Sequence, residues 1–310
     1  MLPYAPKYGL RLIAINMRDY ADSTPYTDDE LAELASSDVE IQASAVRKFE
    51  REFGSFMVFV CTSLGIPAVT VLGGHKRGGL AFLTWSLSNI GLVSIFGDSA
   101  TLEDTQKTVL QRYLRTAFAY GAYSLFACYF QCLSPESPDT PALVYEQFPD
   151  LDIFAPLHSP AVPDEGKPKA FMRWASAYYT GIADIERITP GALRNRQELK
   201  ERTPTLDALS SDELERIVEP RAVYRSMPSI GRVPLSVHAR RARRIFLDAD
   251  AVLPDAKVVA LWCDSSIRET LWAAKVLDEL LREEPEPGKR QREASLVRIA
   301  DANHTVSNIS

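Results

Sequence analysis

Ser86 stands in Thr84-Trp85-Ser86-Leu87-Ser88, directly after the short apolar run Leu80-Ala81-Phe82-Leu83-Thr84-Trp85. A serine placed where a buried strand turns into a helix is presented on a tight elbow. The following backbone N–H, that of Leu87, then points at the place where an oxyanion would develop. The N-terminus of the helix beneath favours the same negative charge. Such a serine needs a base. His304, in Asp301-Ala302-Asn303-His304, lies 218 positions further on, just after the apolar run Leu296-Val297-Arg298-Ile299-Ala300. An acid between them would hold the imidazole tautomer and stabilise the imidazolium, in the chain order serine, acid, histidine. Asp264, in Leu261-Trp262-Cys263-Asp264-Ser265, follows a strand-like run and fits that position, and it fits equally well as the cap or turn residue of a helix beginning near Ile267. Glu136 and Asp139 are competing acids. The chemistry implied is acyl transfer to water through an acyl-enzyme, on a small ester-type substrate.

Other reactive side chains point elsewhere. Cys128 and Cys132 lie in an apolar run without histidine neighbours, a pattern of packing and not of metal ligation. Asp264 beside Cys263 would raise the pKa of that thiol, against a nucleophilic role. Neither a metal-ligand set nor a cofactor-binding motif is present, so no metal and no cofactor is expected. His75 and His158 sit in polar stretches that read as surface loops. The dense basic cluster Arg240, Arg241, Arg243 and Arg244, with His238 nearby, reads as a solvated helix face. Beside the indole of Trp85, the aromatic residues Trp174, Tyr178 and Tyr179 at helical spacing suit an apolar substrate wall, or plain core.

Composition bounds the class. The 310 residues are 46% hydrophobic and 25% charged, ordinary globular proportions. Thirty-five basic against 41 acidic side chains give a net charge of −6, which argues against nucleic acid and anionic lipid as partners. Four cysteines are too few and too irregular for a disulfide scaffold. The first residues lack a basic segment followed by an apolar core, so a cytoplasmic location is expected. Phe53 to Gly74 is a 22-residue run without a charge, long enough to anchor a protein in a membrane, but its glycines and Pro67 read as a buried helix end followed by a loop. Ala117 to Leu133 is a second such run, equally suited to a core strand. Nothing in the composition points to an oligomeric state.

The elements that must position these groups alternate. Leu10–Asn16 reads as a buried strand, and Thr27-Asp28-Asp29-Glu30 as a helix start with its capping box. A helix is expected from Asp38 to about Leu64, on apolar residues at three- and four-residue spacing. Leu80–Trp85 has the proportions of a covered parallel strand, and Leu87–Phe96 of its helix. A helix over 101–117, a strand over 120–131 and a proline-crowded connection over 133–168 follow. Helical periodicity returns over 169–250, broken by prolines, as in a cap. Strand 258–262, helix 267–283 and strand 296–300 close the pattern. This is the order of an α/β fold whose parallel sheet is covered on both faces. The domain reading is an N-terminal core part over 1–134, a lid or cap over 135–250 and a C-terminal core part over 251–310.

These stretches together resemble the α/β-hydrolase superfamily. RLIAINMRDYADSTPY, starting at Arg11, is similar to the strand and turn that carries R-x-Y-G-x-S-x-P in such enzymes, and AFLTWSLSN resembles the nucleophile elbow G-W-S-L-G-N. Residues 258–264 and 296–304 resemble the last two strands with their acid and base. The resemblance implies a doubly wound, mostly parallel sheet with an inserted helical lid. It further implies Ser86, Asp264 and His304 as the serine-esterase triad, and Leu87 as an oxyanion donor. The family's earlier strands, its His-Gly oxyanion loop and its closing helix have no counterpart in the match, so a chain truncated at both ends is expected. Thr84 and Ser88 stand where the elbow has glycines. From those departures comes the alternative of a catalytically impaired relative that binds a ligand or partner through the same pocket.

Overall fold

A computed structural model describes residues 4–121, 156, 159–219, 222–226, 229–230 and 235–305. Four strands, β3 (Leu80–Trp85), β4 (Leu114–Tyr120), β5 (Lys257–Cys263) and β6 (Ala294–Ile299), form a parallel sheet in that order. A small antiparallel hairpin, β1 (Thr70–Leu72) and β2 (His75–Arg77), stands apart from it, with His75 exposed. The helices among the described residues are α1 (Asp28–Leu34), α2 (Val39–Ser63), α3 (Asn89–Gly97), α4 (Asp104–Tyr113), α5 (Lys167–Ser176), α6 (Pro190–Arg194), α7 (Ser211–Ile217), α8 (Leu235–Leu247) and α9 (Arg268–Leu281). The architecture is α/β.

Local chemistry explains the element starts. Thr27 accepts the Glu30 N–H while the Glu30 carboxylate accepts the Thr27 N–H, a reciprocal cap on α1. Asp38 accepts the N–H groups of Glu40 and Ile41 at the head of α2. Helix α3 has no polar face: Leu92, Val93, Ile95 and Phe96 are wholly buried, as expected of a helix enclosed by a sheet and other helices. Phe82, Ala117, Ala119, Val258 and Ala260 present one face of the sheet to it. Side chains of α2, α3, α4, α8 and α9 join that face in a single core. Adjacent residues point the other way, and among them Leu83, Trp85 and Val297 are exposed. Among the described residues these helices pack on that one face.

Several other expectations change. Leu10–Asn16 has strand composition but pairs with no strand among the described residues, and Leu10, Leu12, Ile13 and Ile15 are exposed. Strand propensity expresses itself against a partner ladder, and among the described residues the segment has none. The helix expected over 101–117 ends at Tyr113, and the strand begins at Leu114 instead of Tyr120, because β4 runs in register beside β3 from Leu80↔Leu114 onward. Residues 53–74 divide between the end of α2, a loop and β1. No described helix is long and apolar enough to cross a membrane. Cys128, Cys132, Glu136, Asp139 and His158 lie outside the described residues, as does most of the proline-crowded connection.

The segment read as a cap holds α5, α6, α7 and short turns, but its last helix, α8, packs on α3 in the main core through Ala242, Ile245 and Phe246. The two helices meet so closely that a Cβ on Gly97 would fall on the Arg241 carbonyl. Arg241 is therefore not on a solvated face: it is 5% exposed, with Nη2 2.9 Å from Asp98 Oδ2. Arg243 does reach outward, to Glu283. The side chains of His238 and Arg240 lie outside those described.

Arg292, just before β6, is buried and donates to the carbonyls of Ile245, Ala249, Val252, Leu253 and Ala256. It ties the end of α8 and the loop entering β5 to the start of the strand that carries His304. Arg292→Met keeps much of the volume but strips those carbonyls of donors, and is expected to cost about 2 kcal/mol. Urea unfolding of the two proteins measures it.

Candidate active site

Ser86 sits at the C-terminal end of β3, on the first residue of a short 3-10 turn (Ser86–Ser88) that runs into α3. Its φ of 53° is left-handed, a conformation that costs a non-glycine residue on the order of 1 kcal/mol or more. Strain of this kind persists only where the surroundings over-determine it. The result is a half-buried hydroxyl lifted out of the strand's own pleat.

His304 arrives from the far edge of the sheet. β6 ends at Ile299, Asp301 turns the chain with φ 53°, and His304 comes to rest with Nε2 2.9 Å from Ser86 Oγ. The imidazole is only 5% exposed. Burial pushes its pKa down to about 4, so the ring is neutral at pH 7. In the tautomer with its proton on Nδ1, Nε2 accepts the Ser86 hydroxyl hydrogen, the arrangement that general-base activation of an alcohol requires.

Two neighbours seat the ring. The Trp85 indole N–H donates to the His304 carbonyl at 2.9 Å, and its ring centroid lies 5.9 Å from that of the imidazole. Trp85 is also 45% exposed beside the pair. On another side is Gly121, at the end of β4 with φ 53°, where a Cβ would lie 2.8 Å from both Nδ1 and Cε1 of His304. Gly121→Ala should therefore displace the imidazole and slow any reaction of Ser86 by about tenfold, since small misplacements of a base are costly. Comparing reaction rates of the two folded proteins checks this.

Asp264 is at the C-terminal end of β5 and is buried. Its Oδ1 accepts the Asp301 N–H at 2.9 Å and lies 3.3 Å from Ser265 Oγ, while Oδ2 is 3.9 Å from Arg298 Nε. The carboxylate thus fastens the turn that carries His304, a contact distinct from the cap or turn role expected for it at the helix beginning near Ile267. Glu136 and Asp139 are outside the described residues.

Asn303 and Tyr120 complete the scaffold. The Asn303 amide donates to the Ser176 carbonyl and to Thr205 Oγ1, and its Oδ1 accepts the Thr305 N–H. The Tyr120 hydroxyl donates to the Asn303 carbonyl at 2.8 Å and lies 3.0 Å from Cys263 Sγ. Burial, with a smaller contribution from the Asp264 charge, pushes the Cys263 thiol up to about 11, although the Tyr120 contact opposes this. It is therefore a protonated packing residue.

Leu87 directs its side chain toward the cluster of Leu34, Val46 and Ile90. Trp174 packs with Phe171 near Trp262 and Leu271, their rings 5.5 Å apart, and Tyr178 is buried under the Arg202 guanidinium at 3.6 Å. Tyr179 donates its hydroxyl to the Trp174 carbonyl. These rings are occupied in packing and stacking. Sequence reasoning did not single out Gly121, Tyr120 or Asn89. The available signal for Gly121 is a lone glycine inside the apolar run 117–133, a usual mark of left-handed backbone or close approach. Among the described residues no group of three histidine, cysteine or acidic side chains is placed to hold a metal ion. Comparison with protein-family profiles, curated proteins and solved structures finds no match to this chain.

Proposed function

We propose that the protein is a serine hydrolase of α/β-hydrolase type that cleaves an ester bond, with Ser86 as nucleophile and His304 as base. The observation that carries the reading is the 2.9 Å approach of Ser86 Oγ to a buried, neutral imidazole across 218 residues of chain. It is supported by the order of the parts: the serine follows β3, Asp264 follows β5 and His304 follows β6, in a sheet whose strands stand side by side in that sequence. In this reading β3 to β6 belong to a doubly wound sheet, and the short helices between β4 and β5 form its lid. Attack by Ser86 on the ester carbonyl passes its proton to Nε2, and His304 returns it to the leaving alcohol. Water then repeats the exchange to release the acid. The Leu87 N–H supports the oxyanion, and the exposed indole of Trp85 contacts the substrate.

Hydrolysis of a series of short-chain aryl esters tests the proposal. Turnover by the wild type that disappears in Ser86→Ala supports it, and equal rates in both overturn it. A second reading, a catalytically impaired relative that binds an ester-like ligand at the same place, is favoured by one observation: the hydrogen bonds of the Asp264 carboxylate go to the turn and to Ser265. Saturable ester binding without turnover would select it.

A further inference from the structure

The elbow lacks the glycines of its pattern, and the residues in their places are not passive. Thr84 is 3% exposed, and its hydroxyl lies 2.6 Å from Asn89 Oδ1. Asn89, wholly buried, donates from Nδ2 to the Ser86 carbonyl at 2.8 Å and to the Tyr120 carbonyl, at the end of β4, at 3.1 Å. Ser88 folds back on the turn: its Oγ accepts the Trp85 N–H at 2.8 Å and donates to the Trp85 carbonyl at 2.7 Å. The peptide units on both sides of Ser86 are thereby tied to side chains. One tie runs down to the neighbouring strand, and the other closes on the turn itself.

We infer that Asn89 is a positioning residue which, with Thr84 and Ser88, forms a polar lock holding Ser86 in its left-handed backbone and its hydroxyl toward His304. A left-handed serine relaxes to an ordinary conformation unless something holds it, and the two carbonyls gripped by Asn89 are those of Ser86 and of the adjoining strand end. In a buried site an amide bonded through both of its ends specifies one geometry, and half of the network would leave orphaned groups. The lock replaces glycine's conformational freedom with fixed hydrogen bonds. The inference rests on Ser86 being the nucleophile only for its kinetic consequence, because the backbone consequence stands alone.

The test uses the full chain and a fluorophosphonate probe. Asn89→Ala and the isosteric Thr84→Val should each lower the maximal rate of Ser86 labelling about tenfold and leave the half-saturating probe concentration and the pH profile unchanged, whereas Thr84→Ser, which keeps the hydroxyl, should label at the wild-type rate. Val93→Ala, a fully buried lesion in the same helix, should destabilise without slowing labelling of the folded protein. Wild-type labelling rates in both Asn89→Ala and Thr84→Val overturn the lock, and so does slowing by Val93→Ala to the same degree. If Asn89→Ala does not fold, Thr84→Val and Thr84→Ser decide. If the wild type itself fails to label, the hydrolase reading falls while the lock is decided by crystal structures of the wild type and Thr84→Val. The lock predicts that Ser86 leaves the left-handed region in the variant, and an unchanged Ser86 backbone refutes it.

Discussion

If the proposed hydrolase reading holds, His304→Ala should lower ester turnover at pH 7 by about 10³-fold or more, with a loss of similar size in Ser86→Ala and little further loss in the double variant. The expectation follows from the geometry of a two-group unit. Ser86 Oγ lies 2.9 Å from Nε2, so the histidine is the acceptor in place for its proton. A hydroxyl without its base is a weak nucleophile at neutral pH, and a base without its hydroxyl has nothing to activate. Residues acting as one unit give strongly non-additive losses, and the double variant reads that directly. Steady-state rates on one aryl ester for the four proteins supply the measurement, with circular dichroism to show that each is folded. Losses that multiply would mean two independent contributions and a different mechanism.

The second large effect is on acid stability. Burial lowers the His304 pKa from 6.5 to about 4. Between those values the unfolded chain binds a proton that the folded one refuses, so stability rises with pH across this window. The contribution is fully present above pH 6.5 and is lost as pH falls through 4. The shift of about 2.5 units amounts to about 3 kcal/mol by pH 4. Other groups titrate in acid as well: Glu30, held at about 2 chiefly by its hydrogen bond to Arg18, loses its contribution lower down. Glu50 acts in the opposite sense, because burial, partly offset by Arg241, raises it to about 8, so its contribution is lost as pH rises. The difference between wild type and His304→Gln, measured by urea unfolding at pH 7 and pH 4, isolates the histidine. On the proposed mechanism the same ionisation should set the acid limb of ester turnover near pH 4 and not near 6.5. Equal acid losses in the two proteins would contradict the buried, neutral imidazole.

How much of this was legible depended on whether the cause was local. β3, β5 and β6 stood out as short apolar runs bounded by turns, and the capping of α1 and α2 was written in Thr27, Glu30 and Asp38. The order of Ser86, Asp264 and His304 along the chain was equally plain. What failed depended on distant partners. Leu10–Asn16 has every local mark of a strand and joins no ladder among the described residues. The helical spacing of 101–117 carried on past Tyr113 in the sequence, while pairing with β3 ended the helix there. Arg241 reads as one more surface charge until Asp98, at the end of α3, closes over it. At the site, sequence spacing placed a carboxylate after β5 but not its direction, because that depends on the Asp301 N–H supplied from the next strand's turn. Thr84 and Ser88 read as losses from a glycine pattern, since only the folded turn brings them to Asn89 and Trp85.

The most direct measurement is covalent. The wild-type chain is treated with a fluorophosphonate at pH 7, its intact mass is read and the modified peptide is sequenced. The expected result is a single phosphonyl adduct on Ser86, formed at least about 10³-fold faster than in His304→Ala and absent from Ser86→Ala. An unlabelled protein, or an adduct on another serine, would contradict the assignment of Ser86 and His304 as a nucleophile and its base.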